Sequence, residues 1–172
     1  MQIEDLLLAG PAKQGDSTDI WQAARDGDLP AVRFYLNQDP SNLNKHKEEE
    51  HNITPLIIAA YSSQLNIVEY LVRKGADMEG TDSDKNTPLT VAAGWGNLSI
   101  VEYLISEGAD IDIQGRHKWT PLHYAVWAND LDKVKLLIKH GADKYLKDED
   151  GHIPLDQAQL MGYTSIVDFL SD

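Results

Sequence analysis

The sequence predicts an all-α solenoid of about five stacked helix-turn-helix units. A Thr-Pro-Leu tripeptide recurs four times, the last copy with Ile in place of Thr, and each start lies 33 residues after the one before. The ending Gly-Ala-Asp recurs in the same frame. A fixed period of this length is typical of one supersecondary unit that is copied and stacked, so that neighbouring copies share an elongated core. The tripeptides begin at Thr54, Thr87, Thr120 and Ile153.

Each copy has the pattern of two short helices, which is clearest in the third. Thr87 is suited to cap the first helix, and Pro88 fits the first helical position because the N–H that it lacks would have no partner there. Gly96 marks the turn into a second helix, and Gly108 is expected to end that helix in a left-handed conformation. Apolar residues of the second helix recur at the three-and-four spacing of an amphipathic helix. These residues are Leu98, Val101, Leu104 and Ile105.

These patterns resemble the ankyrin repeat. The family's Thr-Pro-Leu-His pattern is met in full by residues 120–123, its paired alanines by 59–60 and 92–93, and its Gly-Ala-Asp ending by three copies. The resemblance covers about residues 13–172 and implies stacked helix pairs with hairpin-like fingers that project to one side. It also implies that His123 is a hydrogen-bonding clamp between neighbouring repeats.

The repeat frame divides the chain into a cap and five units. Three added residues near Asn42 predict an enlarged first finger, whose charged run 45–51 is either a partner contact or a solvated loop. The N-terminal segment is expected to cap the first unit as a short helix, with a membrane-facing or partner-docking helix as the alternative. The units are 1–12 (N-terminal capping segment), 13–48 (repeat 1, degenerate), 49–81 (repeat 2), 82–114 (repeat 3), 115–147 (repeat 4) and 148–172 (repeat 5, C-terminal cap).

Composition and charge argue against several classes of function. A net charge of −13 opposes nucleic-acid binding, which depends on Lys and Arg displacing counterions, and it favours either a basic partner or simple solubility. The chain has no cysteine for disulfides or thiolate metal sites, and no apolar run approaches the roughly 18 residues of a membrane span. We expect a monomer of the cytoplasm or nucleus that does not insert into membranes directly.

Motifs for catalysis and for metal binding are missing from the sequence. The six histidines show none of the paired spacing of a helix-borne zinc site. The segment 148–151 is similar to a calcium loop, but the third alternating acid and the distal Glu are missing, which favours a finger turn. No Gly-rich phosphate loop and no nucleophile elbow is present. We therefore predict no enzymatic activity, no cofactor and no metal.

The residues that the repeat pattern does not require predict a recognition surface. In the family's geometry, the finger tips and the exposed side of each first helix form a concave groove, and three of the four tryptophans fall there. Tryptophan is enriched at interface anchors, although Trp119 is also placed to brace a finger and Trp127 to pack on the next helix. Trp beside carboxylates suits a peptide that bears Lys or Arg. The predicted partner-binding residues are Tyr61, Asp84, Asn86, Trp95, Arg116, His117, Trp119, Trp127, Glu149, Asp150 and His152.

The outer face of the fourth repeat is locally basic. Lys133, Lys135, Lys139, His140, Lys144 and Lys147 form this outer face. It is either a second docking site for an acidic partner or a set of ordinary helix-end lysines, which interact favourably with the helix dipole. Lys133 stands where the other units have Ile67, Ile100 and Ile166.

The sequence as a whole predicts a non-catalytic protein-protein interaction module that acts as an adaptor, scaffold or inhibitor. Two alternatives stay open at this point. In the first alternative, the chain is a regulatory or targeting segment of a larger enzyme, channel or transferase. In the second, it is a structural spacer that has no specific ligand.

Overall fold

The computed structural model describes residues 17–48 and 51–171, and these residues contain ten α-helices arranged as five successive pairs. The predicted capping segment 1–12 and part of the first finger lie outside the described residues. Short 3-10 helices lie at Pro40–Leu43 and Arg116–Lys118. The α-helices are α1 (Ile20–Asp26), α2 (Leu29–Gln38), α3 (Pro55–Tyr61), α4 (Leu65–Arg73), α5 (Pro88–Gly94), α6 (Leu98–Ser106), α7 (Pro121–Trp127), α8 (Leu131–Lys139), α9 (Pro154–Met161) and α10 (Thr164–Ser171).

The first helices begin at the residues that the tripeptides predict. The hydroxyl oxygens of Thr54, Thr87 and Thr120 each accept a hydrogen bond from the backbone N–H three residues later, at 3.2, 3.3 and 3.4 Å. Ile153 has no side-chain acceptor, and the carboxylate of Asp156 instead accepts from the Ile153 N–H at 3.0 Å. The predicted Thr caps are confirmed, and the fourth copy uses a different polar group to fix the same helix start.

The core runs along the stack between two rows of helices. The first helices α1, α3, α5, α7 and α9 contact one another in order, and each also packs on the second helix of its own repeat. Paired small residues such as Ala59 and Ala92 are fully buried where the first helices meet. The second helices supply larger aliphatic residues, including Leu71, Leu104 and Leu137. Each repeat therefore completes the core of its neighbour, and the predicted all-α solenoid is confirmed.

In the second, third and fourth repeats the second helix is followed by a glycine in the left-handed region, as predicted for Gly108. Its φ is 95°, and Gly75 and Gly141 have φ values of 85° and 94°. Immediately afterwards, backbone N–H groups of one repeat bond to a side chain of the preceding repeat. The carboxylate of Glu79 accepts from the Asp110 N–H at 3.0 Å, and that of Asp112 accepts from the Asp143 N–H at 2.9 Å. These bonds fix the spacing between repeats on the outer side of the stack.

The fingers are tight hairpins that are tied to one another. In the last finger the Asp148 N–H donates to the His152 carbonyl at 2.9 Å, and the Asp148 carboxylate accepts the N–H groups of Asp150 and His152. The predicted finger turn at 148–151 is thereby confirmed, since this carboxylate organises the turn. Neighbouring fingers are linked by the Glu149 N–H, which donates to the His117 carbonyl at 2.9 Å.

The first finger is anchored on α1. The segment from Leu29 to the next helix cap at Thr54 is three residues longer than its counterparts, and it includes the 3-10 helix Pro40–Leu43. The indole N–H of Trp21 donates to the Ile53 carbonyl at 2.9 Å, and the Lys47 ammonium bonds the Asp19 carboxylate at 3.0 Å. Trp21 is therefore part of the scaffold.

The assignment of Lys133 to the basic outer face is wrong. The residue is only 5% exposed, and its ammonium donates to the Ala93 carbonyl at 3.2 Å and pairs with Asp130 at 3.3 Å. In the second and fourth repeats, a left-handed turn residue, Ser63 or Asn129, donates its N–H to the carbonyl that corresponds to that of Ala93. The third repeat has Gly96 at this turn, and its N–H bonds to the carbonyls of residues 91 and 92 instead. The Lys133 ammonium, which belongs to the fourth repeat, takes the place of the missing N–H as the donor to the Ala93 carbonyl.

Candidate protein-binding groove

A contiguous array of aromatic rings runs across the second, third and fourth repeats. The Trp95 ring lies 5.9 Å from Tyr61, 5.7 Å from Tyr124 and 5.4 Å from Trp127, measured between ring centroids. Trp119 lies 5.3 Å from Tyr124, nearly at right angles to it. These tilted and edge-on arrangements are those that aromatic pairs prefer. The array brings together four of the predicted partner-binding residues, and we call it the aromatic array.

The helix ends place these rings on the surface. Tyr61 and Trp127 are the last residues of α3 and α7, and Trp95 directly follows the last residue of α5. Their residues are 50%, 39% and 42% exposed, respectively. Gly94 takes the position that corresponds to Tyr61 and Trp127, and a Cβ atom there would lie 3.3 Å from the Tyr124 ring. The missing side chain at Gly94 therefore makes room for Tyr124 beside the Trp95 ring.

Tyr124 forms the floor of the aromatic array and was not among the predicted residues. It is buried, and its hydroxyl donates to the Asn86 side-chain oxygen at 2.6 Å. Burial raises the pKa of Tyr124 to about 12, so the hydroxyl keeps the proton that it donates. The corresponding residues of the two preceding repeats are Ile58 and Val91. The sequence could have pointed to Tyr124, because a tyrosine stands there at a position where the two preceding repeats have aliphatic residues.

Asn86, a predicted partner-binding residue, positions Tyr124. It is 7% exposed, its oxygen accepts from the Tyr124 hydroxyl, and its amide nitrogen donates to Asp82 at 3.2 Å. Asp82 also accepts the backbone N–H groups of Asp84 and Asn86 within the second finger. A chain of hydrogen bonds thus connects the finger turn to the floor of the groove, so both are held in a fixed orientation.

Two cavities flank Trp95. The cavity between the second and third repeats measures about 340 Å³, and the one between the third and fourth repeats measures about 320 Å³. Asp84, Asn86 and Trp95 line both. We call the second one the four-ring cavity, because four aromatic side chains form its walls. Its lining residues are Asp84, Asn86, Trp95, Arg116, His117, Trp119, Tyr124 and Trp127.

Charged residues on the finger tips pair across the rim of the groove. The Arg116 guanidinium lies 3.4 Å from the Asp84 carboxylate, and the imidazole of His117 contacts the carboxylate of Glu149. Both pairs connect successive fingers, and all four side chains are exposed. Such pairs contribute little to stability in water, about 0–1 kcal/mol each. The predicted acidic residues Asp84 and Glu149 each have a basic neighbour; Asp84 lines both cavities beside Trp95, whereas Glu149 lines neither.

The remaining predicted residues, Asp150 and His152, lie on the last finger and line neither cavity beside Trp95. Side-chain ligand atoms of Asp148, Asp150 and His152 lie within 4.8 Å of one another. The backbone bonds that the Asp148 carboxylate accepts account for its position in this cluster. Its geometry is that of a finger turn.

His123 holds the fourth and fifth repeats together. Its Nδ1 accepts from the Thr120 N–H at 3.2 Å, which leaves Nε2 to donate to the His152 carbonyl at 3.3 Å. Burial lowers the pKa of His123, in keeping with a neutral ring that both donates and accepts. The clamp that the resemblance implied for this residue is confirmed.

The fold defines a helical repeat protein, and comparison with known proteins agrees. A family model that describes three copies of the ankyrin repeat matches residues 20–115, and a second, for many copies, matches residues 104–158. The chain belongs to the ankyrin-repeat family. Ankyrin repeats are generally protein-protein interaction modules, and the fold is a non-catalytic one.

The curated relatives share only part of their length with this chain. The ankyrin repeat and SAM domain-containing protein 6 of Rattus norvegicus is 37% identical over 65 residues, which is 38% of this chain and 7% of that protein. The ankyrin repeat domain-containing protein 49 of Homo sapiens is 41% identical over 59 residues, which is 34% of this chain and 23% of that protein.

No helix within the described residues is both long and apolar enough to cross a membrane.

Proposed function

We propose that the chain binds another protein through the groove lined by the aromatic array, and that it does so as a non-catalytic adaptor, scaffold or inhibitor. The observation that carries this proposal is the exposure of Tyr61, Trp95 and Trp127 side by side on three successive repeats. Large aromatic side chains supply much of the binding free energy at protein interfaces and lose little conformational entropy there.

The groove is built in advance of binding. Tyr124 and Asn86 fix its floor by a hydrogen bond, and the finger turns are held by the carboxylates of Asp82 and Asp148. A partner that docks on a preformed surface avoids much of the cost of ordering it. The net charge of −13 favours encounter with a basic partner, so we propose a binding segment that bears Lys or Arg.

Affinity capture with matched variants tests the proposed groove. The double variant Trp119→Ala, Trp127→Ala removes two walls of the four-ring cavity, whereas Tyr145→Ala removes an aromatic residue that is 69% exposed and lines neither cavity. We expect the double variant to lose a partner that the wild-type chain and Tyr145→Ala retain, as measured by quantitative mass spectrometry. Circular dichroism checks that all three proteins have the same helix content. Equal recovery of every partner would contradict the proposal.

A second candidate role is that of a regulatory or targeting segment in a larger enzyme, channel or transferase. The matched stretches make up 7% and 23% of the curated relatives, and the name of one relative includes a SAM domain besides its repeats. Sequencing of the full-length transcript tests this role. A reading frame that continues into a further domain supports it, and one of 172 codons excludes it.

A further inference from the structure

We infer that the four-ring cavity accepts an arginine side chain from a basic segment of the partner. This inference rests on the proposed groove and adds the chemistry of the residue that is bound there. The ring centroids of Trp95 and Trp119 lie 5.7 and 5.3 Å from that of Tyr124, and Trp127 lies 5.4 Å from Trp95. A guest in this cavity therefore meets aromatic surface on several sides. Aromatic faces attract cations, and Trp does so most strongly.

In the part of the chain that the structure describes, the aromatic rings of the cavity have no cation-ring contact with a Lys or Arg side chain of the protein itself. Within the described residues, every cation-ring contact involves another ring: Lys47 on Trp21, Arg33 and Lys74 on Tyr70, Lys135 on Phe169, and Lys144 on Tyr145. The four rings in these contacts are thus each accompanied by a Lys or Arg of the protein itself. The four rings of the cavity are therefore available to a cationic guest.

The polar groups of the cavity distinguish arginine from lysine. On the floor, the Tyr124 hydroxyl and the Asn86 amide already bond to each other at 2.6 Å. A Lys ammonium is compact and strongly hydrated, and it would need new acceptors for its three donors. A guanidinium is planar and more weakly hydrated, so it can stack on ring faces while its edge N–H groups reach a carboxylate. Asp84, on the rim, supplies that carboxylate.

One positive charge on the rim opposes a cationic guest. Arg116 lines the cavity and pairs with Asp84 at 3.4 Å, with the two side chains 56% and 43% exposed. An incoming guanidinium therefore competes with Arg116 for Asp84. The competition is weak, because an exposed pair contributes little and the chain as a whole is strongly acidic. The inference therefore predicts an unusual effect: removal of Arg116 should increase the affinity for the cationic guest.

Titration of the full chain with blocked Gly-Ser peptides tests the inference. Each peptide carries one central residue, which is arginine, its neutral isostere citrulline, lysine or trimethyllysine. Binding is followed by the indole N–H resonances of Trp95, Trp119 and Trp127 in nitrogen-15 NMR spectra, with the buried Trp21 as an internal reference. We expect the arginine peptide to shift these three resonances and to bind at least about tenfold more tightly than the citrulline peptide, because its charge supplies the attraction.

Variants of the rim and walls complete the test. Arg116→Ala should tighten binding of the arginine peptide by about two- to fivefold, as expected for the loss of one exposed competitor, whereas Asp84→Asn and Trp127→Ala should weaken it. The inference is overturned if no peptide binds, if citrulline binds as well as arginine, or if lysine or trimethyllysine binds more tightly.

The capture experiment separates this inference from the proposed function. If the arginine peptide does not bind but partner capture still depends on Trp119 and Trp127, arginine recognition fails and the groove remains the binding site. If capture is also independent of these residues, both are rejected.

Discussion

At the scale of single residues, Lys133 shows how the backbone conformation of a turn in one repeat determines which side chain is needed in the next repeat. At the left-handed turns of Ser63 and Asn129, the turn N–H donates to a carbonyl at the end of the first helix. The turn at Gly96 is different, and its N–H does not reach the Ala93 carbonyl. The Lys133 ammonium is the donor that the described residues provide to that carbonyl. A buried carbonyl without a donor is costly, which explains a lysine at a position otherwise filled by isoleucine.

We therefore predict that Lys133→Ile destabilises the protein by about 1–3 kcal/mol, because it leaves the Ala93 carbonyl without its donor. Urea unfolding followed by circular dichroism measures the change. Lys139→Ile, the same replacement at an exposed position on the same helix, is the control and should change stability by less than about 0.5 kcal/mol. Unchanged or increased stability of Lys133→Ile would show that isoleucine packing outweighs the hydrogen bond.

Sequence-based prediction succeeded where a residue acts within its own repeat or at a recurring position. The Thr caps, the left-handed glycines and the His123 clamp are of this kind. It failed for Lys133 and overlooked Tyr124, because their partners are the Ala93 carbonyl and Asn86, which lie 40 and 38 positions away. Those contacts depend on how successive repeats are stacked, and the sequence of one repeat does not specify that arrangement.

The same limit applies to the groove. Trp95, Trp119 and Trp127 were identified as residues that the repeat pattern leaves unexplained. That they meet at one cavity depends on Gly94, whose missing side chain makes room for the Tyr124 ring. The pairing of Asp84 with Arg116 likewise depends on the alignment of two fingers and is not apparent in the sequence.

At the scale of helices and turns, Gly96 determines how closely the second and third repeats approach. A Cβ atom at this position would lie 2.7 Å from the Ala92 Cα and 2.9 Å from the Ala60 carbonyl oxygen. Both neighbours are backbone atoms, so a larger residue would force a shift of the helices. This glycine is required by close packing, since its φ is outside the left-handed region.

Gly96→Ala should accordingly destabilise the protein by about 1–3 kcal/mol, as typical of overpacking in a rigid core. Gly80→Ala serves as the control, because its nearest neighbour would be at an ordinary 3.5 Å. The control should leave stability unchanged or raise it by up to about 1 kcal/mol, since alanine restricts the unfolded chain. Differential scanning calorimetry of both variants makes the comparison, and equal melting temperatures would refute the close-packing argument.

At the scale of the whole molecule, charge acts in two opposing ways. Exposed pairs such as Arg116 with Asp84 attract one finger to the next, whereas the net charge of −13 makes the folded chain repel itself. Salt screens both effects, but exposed pairs are individually weak. Self-repulsion should therefore dominate the response to salt.

We predict that the melting temperature rises by a few degrees when NaCl increases from about 20 to about 500 mM, because the Debye length shortens and the repulsion is screened. Thermal unfolding at constant pH, followed by circular dichroism, gives the measurement. A variant with Asp110→Asn and Asp132→Asn, both exposed, should show a smaller rise. A fall in melting temperature with salt would mean that the ion pairs between fingers outweigh the repulsion.

In the proposed groove, the position of Trp95 between the two cavities affects which residues of a bound segment fit on either side of it. One indole separates the cavities of about 340 and 320 Å³, so a rotation of this ring enlarges one at the expense of the other. A ligand residue that turned the ring from one side would therefore restrict the space left on the other. Under the proposed function, specificity would then be a property of pairs of neighbouring ligand residues, and scanning a partner one position at a time would underestimate it.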